Sequence, residues 1–219
     1  MQPQRFGVMR LVFASNNAHK LSEVRAIMPA DIEILSLRDI GFMSEIEENG
    51  RTLEENSLIK AQAVYDYITE NGEGEVVSGI DGVFADDTGL EIDALDGRPG
   101  VYTARWYNMD GEGLTVHSDL EMYAANRAKA LRELKDKNNR TCQFRTVITL
   151  INNEETIQVD GIVRGRITTE EYGEGGFGYD PIFIPEGYDK TFGELSSEIK
   201  NKISHRGRAL EKLVELLIR

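Results

Sequence analysis

Two stretches near the end of the chain hold the residue types that grip a nucleotide. The run Gly176-Phe177-Gly178-Tyr179-Asp180-Pro181 puts two aromatic rings and a carboxylate on a glycine-hinged loop, and Lys200 and Ser204-His205-Arg206-Gly207 follow it. An aromatic face stacks on a base, an interaction worth roughly 1–3 kcal/mol when tested by truncation. An arginine fork reads a carbonyl or phosphate edge with paired hydrogen bonds, and a lysine supplies a compact charge. Either stretch alone reads equally well as a glycine-rich turn or a solvated helix start. Both together, in one third of the chain, point to a site for a base and its phosphates.

Acidic residues supply a second constellation. Glu47 and Glu48 share one loop, and Asp86 and Asp87 follow the apolar run Gly82-Val83-Phe84-Ala85. Magnesium is held by hard oxygens, commonly one or two carboxylates completed by substrate phosphates and water, so one acid from each pair would suffice. With 38 Asp and Glu in the chain, most acids must be solvated, and Glu47-Glu48 reads equally as a charged loop. The aspartates are expected where a strand runs out into a Thr88-Gly89 turn, with at least one directed into a pocket. Two carboxylates so close call for a nearby cation or a raised pKa.

Hydrophobic periodicity outlines the elements that must position these groups. Residues 8–14 read as a buried strand that stops at Ser15-Asn16-Asn17, and Lys20 opens a helix with Leu21, Val24, Ile27 and Met28 on its apolar face. Such a strand, polar loop and helix present backbone N–H groups to an anion, although Ser15 and Asn17 also suit ordinary helix capping. The GxxxxGK[ST] spacing of a Walker A loop is absent. A helix is expected over residues 53–67, with Ile59, Ala63, Val64 and Tyr67 inward and Lys60 on its polar side. Residues 70–82 read as a turn or short hairpin, and 119–135 as a helix. Residues 141–151 and 156–167 read as two strands joined at Asn152-Asn153-Glu154-Glu155, and 201–218 as one final helix. Strands and helices alternate and then give way to a meander, which predicts an α/β fold with a mixed sheet.

Composition narrows the function. At 219 residues, with 40% hydrophobic and 29% charged residues, the chain reads as one globular domain over 1–219, with two lobes around a cleft compatible with that reading. Residues 1–7 read as an unstructured leader. No apolar run reaches membrane-spanning length and no signal-peptide pattern opens the chain, so a cytoplasmic protein is expected. A formal net charge of −13 argues against a nucleic-acid partner, which requires a basic surface. The single cysteine, Cys142, lies in an alternating strand-like run and reads as a packing residue.

With these residues in view, the chain resembles the Ham1 family, the inosine triphosphate pyrophosphatases that remove non-standard purine nucleoside triphosphates. The resemblance runs over residues 11–217. It is carried by Ser15-Asn16-Asn17-Ala18-His19-Lys20, similar to the family's [ST]-x-N-x-x-K loop, and by Glu47-Glu48 followed by Thr52, Glu55-Asn56 and Lys60-Ala61. It continues through Asp86-Asp87-Thr88-Gly89-Leu90, Pro99-Gly100-Val101-Tyr102-Thr103-Ala104-Arg105, the Gly176 loop, and Ile203-Ser204-His205-Arg206-Gly207. Three features depart from the family pattern. Glu198-Ile199-Lys200 has one acid where two are usual, Thr88 stands where Ser is commoner, and residues 72–82 and 108–118 are long.

The resemblance implies a homodimeric α/β protein with an elongated mixed β-sheet flanked by helices, two lobes closing around a central cleft on a Mg²⁺-nucleotide. It implies that Ser15, Asn16, Asn17, Ala18, His19 and Lys20 hold phosphates, that Lys60 and Lys200 add positive charge, and that Asp87 is the proton acceptor supported by Asp86. Glu48 or Glu47 joins Asp87 at the metal. Thr88, Phe177, Gly178, Tyr179, Asp180, His205 and Arg206 contact the rest of the nucleotide, the last two suiting a 6-keto base. The reaction implied is hydrolysis of ITP, dITP or XTP to the monophosphate and pyrophosphate, which cleanses the pool for DNA and RNA synthesis. Two other readings compete: a nucleotide sensor that binds without turnover, which has no need of Glu48, Asp86 and Asp87 together, and a pyrophosphatase for modified pyrimidines, which His205-Arg206 suits less well.

Overall fold

The computed structural model describes residues 8–71, 78–109, 111 and 114–218. The expectations for residues 1–7 and for parts of the two long segments, 72–77 within 72–82 and 110, 112 and 113 within 108–118, lie outside the described residues. The elements in chain order are β1 (Met9–Phe13), α1 (Ala18–Ile27), β2 (Ile32–Leu35), α2 (Leu53–Glu70), β3 (Gly82–Ile92), β4 (Pro99–Gly100), α3 (Asp119–Glu133), β5 (Thr141–Ile151), β6 (Thr156–Ile167), β7 (Phe183–Pro185), α4 (Ser197–Ile203) and α5 (His205–Leu217). The strands form one mixed sheet in the order β2-β1-β3-β5-β6-β7, with β4 paired to β3. β1 runs parallel to both β2 and β3, whereas β3–β4 and β6–β7 are antiparallel. This is the α/β fold with a mixed sheet that the periodicity predicts.

The chain divides into two compact units. The first comprises Met1–Asp87, Val147–Val159 and Leu210–Arg219, and the second Thr88–Thr146 and Asp160–Ala209. In the first, Val12 and Ala14 of β1, Leu35 of β2, Val83 and Ala85 of β3 and Ile151 of β5 pack with Ala61 and Val64 of α2. Their β3 and β1 residues are buried without alternation, as expected of parallel strands covered on both faces. In the second, Phe144, Val163, Ile167, Phe183 and Phe192 build a largely aromatic core that takes in Cys142, wholly buried and with its thiol pKa pushed far up by that burial. Cys142 is therefore a packing residue.

Local chemistry sets the helix starts. Asn17, Thr52, Ser118 and Ser196 each accept a hydrogen bond from the backbone N–H three residues on, capping α1, α2, α3 and α4. The β5–β6 hairpin turns on Asn152, whose side-chain oxygen accepts from the N–H groups of Glu154 and Glu155.

Three expectations change. β3 does not end in a turn at Thr88-Gly89 but runs on to Ile92, so Asp86, Asp87 and Thr88 are strand residues. The single helix expected over 201–218 is two, interrupted at Ser204, whose φ of −67° and ψ of 159° are extended. Ser204 Oγ accepts from the Gly207 N–H at 3.1 Å and so starts α5 afresh. Lys60, expected on the polar side of α2, is buried. No helix among the described residues is long and apolar enough to cross a membrane.

Candidate active site

In the first unit, a cluster of charges forms around the end of β3's share of that unit. Asp86 and Asp87 are consecutive on an extended strand, so their side chains leave it on opposite faces, and each meets its own lysine. Lys20, in the first turn of α1, donates from Nζ to Asp86 Oδ1 at 2.8 Å. Lys60, in the middle of α2, donates from Nζ to Glu48 Oε2 at 2.7 Å and reaches Asp87 Oδ1 at 3.5 Å. Three carboxylates thus share two ammonium groups, and with every group ionised the cluster is left one charge negative.

Burial sharpens the electrostatics. Asp86 is 1% and Asp87 8% exposed. Burial raises the Asp87 pKa above the ordinary carboxylate value, over the opposing pull of Lys60 and Lys20, with Glu48 and Asp86 adding to the rise. For Lys60, burial works against its charge, but Asp87, Glu48 and Asp86 outweigh it and hold the ammonium above the usual lysine range. One oxygen, Asp87 Oδ2, is buried with no hydrogen-bond partner among the described residues. Such an orphan acceptor is costly unless a ligand completes it. Of the two candidate glutamates, Glu48 lies against Lys60, whereas Glu47 is exposed. Among the described residues no three His, Cys, Asp or Glu side chains come together as a ready-made metal set.

The loop before α1 belongs to the same unit. Ser15 Oγ accepts from the Asn17 N–H at 3.2 Å, and Asn17 Oδ1 accepts from the Lys20 N–H at 3.0 Å. Asn17 therefore does the capping its type predicted, whereas Ser15 closes the turn before the helix and does not cap it. Asn16, Ala18 and His19 are exposed beside them.

In the second unit, the Gly176 loop is built around a carboxylate. Asp180 Oδ2 accepts from the Phe177 N–H at 2.7 Å and from Lys200 Nζ at 2.6 Å. Gly176 has a φ of 73°, and a Cβ there would lie 2.0 Å from Asp180 Oδ2, so only glycine permits this approach. Lys200 lies over the Phe177 ring at 4.8 Å, and the Arg206 guanidinium is 5.9 Å from the same ring. Arg127 of α3 donates to the Gly178 carbonyl at 2.9 Å. The two rings expected on this loop part company. Phe177 stays partly exposed, whereas Tyr179 is buried in the aromatic core with its hydroxyl donating to the Thr103 carbonyl at 2.8 Å and its pKa driven up by burial. Tyr179 offers its loop a foundation, not a stacking face.

His205 and Arg206 open α5 and are buried, at 6% and 2% exposed. His205 stacks on Phe144, with ring centroids 4.9 Å apart and planes 28° apart. Its Nδ1 lies 2.6 Å from the hydroxyl of Thr146, which lies 2.8 Å from that of Thr88, and Arg206 Nη2 donates to Thr88 at 3.4 Å. Sequence reasoning missed Thr146, one threonine among many on an ordinary-looking strand. It also missed Gly161 of β6, where a Cβ would lie 2.0 Å from the His205 carbonyl.

A mixed-sheet α/β chain with a buried lysine–carboxylate cluster in one unit, and in the other an aromatic loop beside a buried histidine and arginine, has the parts of a nucleotide-handling enzyme. Comparison with known proteins gives this class its family. The Ham1 family matches residues 11–216, and the chain belongs to it. A Flavobacterium johnsoniae protein named dITP/XTP pyrophosphatase is 46% identical, with 95% of this chain and 98% of that protein covered. A Bacillus subtilis protein of the same name is 45% identical, with 94% and 96% covered. The solved structure of the Staphylococcus aureus Ham1 protein superposes with a TM-score of 0.76 at 36% identity, with 95% of this chain and 97% of that one covered.

Proposed function

We propose that this protein is a pyrophosphatase for non-standard purine nucleoside triphosphates, converting ITP, dITP and XTP to the monophosphate and pyrophosphate, and so keeping these bases out of DNA and RNA. Its relatives named dITP/XTP pyrophosphatase support the reaction and the substrate class. The observation that carries the reading in this chain is the cluster of Lys20, Lys60, Glu48, Asp86 and Asp87, with one buried Asp87 oxygen left without a partner among the described residues. A sensor that merely bound a nucleotide would have no use for buried acids facing a polyanion.

The first unit supplies the groups for the triphosphate. The Ser15–Lys20 loop and the start of α1 would hold phosphate oxygens with backbone N–H groups. Asp87 would orient and deprotonate a water for in-line attack on the α phosphorus. The new bond forms from the water oxygen, the bond from that phosphorus to the bridging oxygen breaks, and pyrophosphate leaves with the electron pair, neutralised by Lys20. Asp86 would hold Lys20 in place.

The donor set suits Mg²⁺, because the orphaned Asp87 oxygen and Glu48 are hard ligands and the cluster is one positive charge short of neutral. Two carboxylates are enough when substrate phosphates complete the shell. When bound, Mg²⁺ would supply charge neutralisation on the phosphates and a lowered pKa for a bound water. The second unit supplies base recognition, with Phe177 for stacking and His205 and Arg206 for a 6-keto edge. We place the protein in the cytoplasm as a homodimer, a state that sedimentation would test.

The test is pyrophosphate release from ITP, XTP, dITP, ATP, GTP and modified pyrimidine triphosphates with Mg²⁺, with Asp87→Asn alongside. Selective turnover of ITP, dITP and XTP is expected, and Asp87→Asn should lower it by about 10²–10⁴-fold. Nucleotide binding without turnover would replace the enzyme with a sensor.

A further inference from the structure

Thr146 is wholly buried on β5 and lies within hydrogen-bond distance of two groups, Thr88 Oγ1 at 2.8 Å and His205 Nδ1 at 2.6 Å. With Arg206 Nη2 donating to Thr88 at 3.4 Å, the four side chains form a line: Arg206, Thr88, Thr146, His205. The direction of the line is set at the arginine, because a guanidinium can only donate. Thr88 accepts from Arg206 and passes its own proton to Thr146, and Thr146 passes its proton to Nδ1. In the reverse direction Nδ1–H would donate to Thr146 and Thr146 to Thr88. Thr88 would then accept twice and find no acceptor in the line for its own proton, a cost that a half-buried hydroxyl avoids when it can. The forward line gives each hydroxyl both a donor and an acceptor and leaves Nδ1 as an acceptor. A neutral ring must then carry its proton on Nε2.

We infer that Thr146, fed by Thr88, is a positioning residue that locks His205 in the Nε2–H tautomer, making it an obligatory donor that admits a 6-keto purine and rejects a 6-amino one. Phe144 holds the plane of the ring by stacking, so the hydroxyl line and the stacked ring together fix both the proton and its direction. With the other tautomer, Nε2 would be an acceptor and an adenine amino group would find a partner there. A site that leaves the wrong group unpaired discriminates far more strongly than one that relies on shape. The inference rests on the pyrophosphatase reading for its consequence, but the tautomer itself does not.

The experiment separates the two. Protein with ¹⁵N-labelled histidine, free of substrate, is examined by two-bond ¹H–¹⁵N correlation at about pH 8, above the ordinary histidine pKa. The chain has three histidines, and His205→Gln identifies the signals of the third. The wild type should show the Nε2–H form. Thr146→Val should lose it and lower the ratio of kcat/KM for ITP over ATP by on the order of tenfold, and Thr146→Ser should restore both. If Thr146→Val does not fold, Thr146→Ala removes the same hydroxyl from a smaller side chain and should move the tautomer in the same direction. A wild-type ring in the Nδ1–H or doubly protonated form would overturn the inference, as would a Thr146→Val protein unchanged in spectrum and ratio. A wild type that does not prefer ITP to ATP would remove the proposed function and the selectivity it explains, while the spectrum would still decide the tautomer.

Discussion

Asp87 shows what the proposed function would demand of a single residue. Its carboxyl is buried, shares Lys60 with Glu48 and keeps one oxygen without a partner among the described residues, and burial raises its pKa in the folded state. A raised folded pKa means that, between the unfolded and folded values, the native state binds more protons than the unfolded one. Stability then falls as pH rises through that window, and above it the ionised side chain is a standing cost to the fold. Asp87→Asn removes the charge and keeps the shape, while Lys60 retains Glu48 at 2.7 Å. In the absence of divalent cations the variant should therefore melt above the wild type near neutral pH, and the difference should close as pH falls to about 3, below the unfolded value, where the wild-type carboxyl is mostly protonated in both states. Thermal melts from about pH 3 to about pH 8 in a chelator check this. A variant that melts below the wild type across the whole range would show instead that the Asp87–Lys60 contact stabilises the fold. The expected pattern, more stable yet inactive, is the trade-off of a site whose charges serve a ligand.

At the scale of elements, the start of α5 is placed by features that sequence periodicity reads poorly. The apolar positions of α5 continue the helical spacing of α4, so the pattern alone joins them. What divides them is one side chain, Ser204, whose hydroxyl caps the second helix. The long strands β5 and β6 were legible to their ends because alternation and an Asn-rich turn agree. β3 was not, because two adjacent aspartates contradict a buried strand unless partner lysines are known, and those lie on α1 and α2. The residue types of the site were legible, whereas the hydroxyl line through Thr146 was not, since burial and pairing of a threonine depend on what packs above it. Gly161 marks the same limit. It lets the first turn of α5 lie directly on β6, where a Cβ would meet the His205 carbonyl at 2.0 Å and the Ala209 nitrogen at 2.5 Å. Backbone cannot yield as a side-chain tip can, so Gly161→Ala should destabilise by about 1–3 kcal/mol. It should also displace His205, so that selectivity for ITP over ATP falls together with the urea midpoint. A loss of stability with selectivity untouched would mean that the strand, not the helix, gives way.

For the whole molecule, charge is the constraint. The chain carries a formal net charge of −13, so its general field repels a triphosphate, and attraction must be local. The local groups do not provide it unaided, because the two lysines of the cluster, Lys20 and Lys60, are already engaged by Glu48, Asp86 and Asp87. The proposed divalent cation would reverse the sign of that cluster, and the Asp87 oxygen that has no partner among the described residues would give it a ligand. Cation and nucleotide should therefore bind with strong positive coupling, each scarcely stabilising the fold without the other. In a chelator, a non-hydrolysable ITP analogue should leave the melting temperature almost unmoved. With Mg²⁺ present and the analogue at a hundredfold excess over its Kd, stabilisation should approach about 2.7 kcal/mol, a rise of roughly 5–10 °C for a chain of this size. Asp87→Asn should abolish most of that rise even though its own unliganded melting point is higher. A full rise in the chelator would show that the lysines and the backbone of the Ser15–Lys20 loop suffice for the phosphates, and the carboxylates would then be assigned to proton transfer alone.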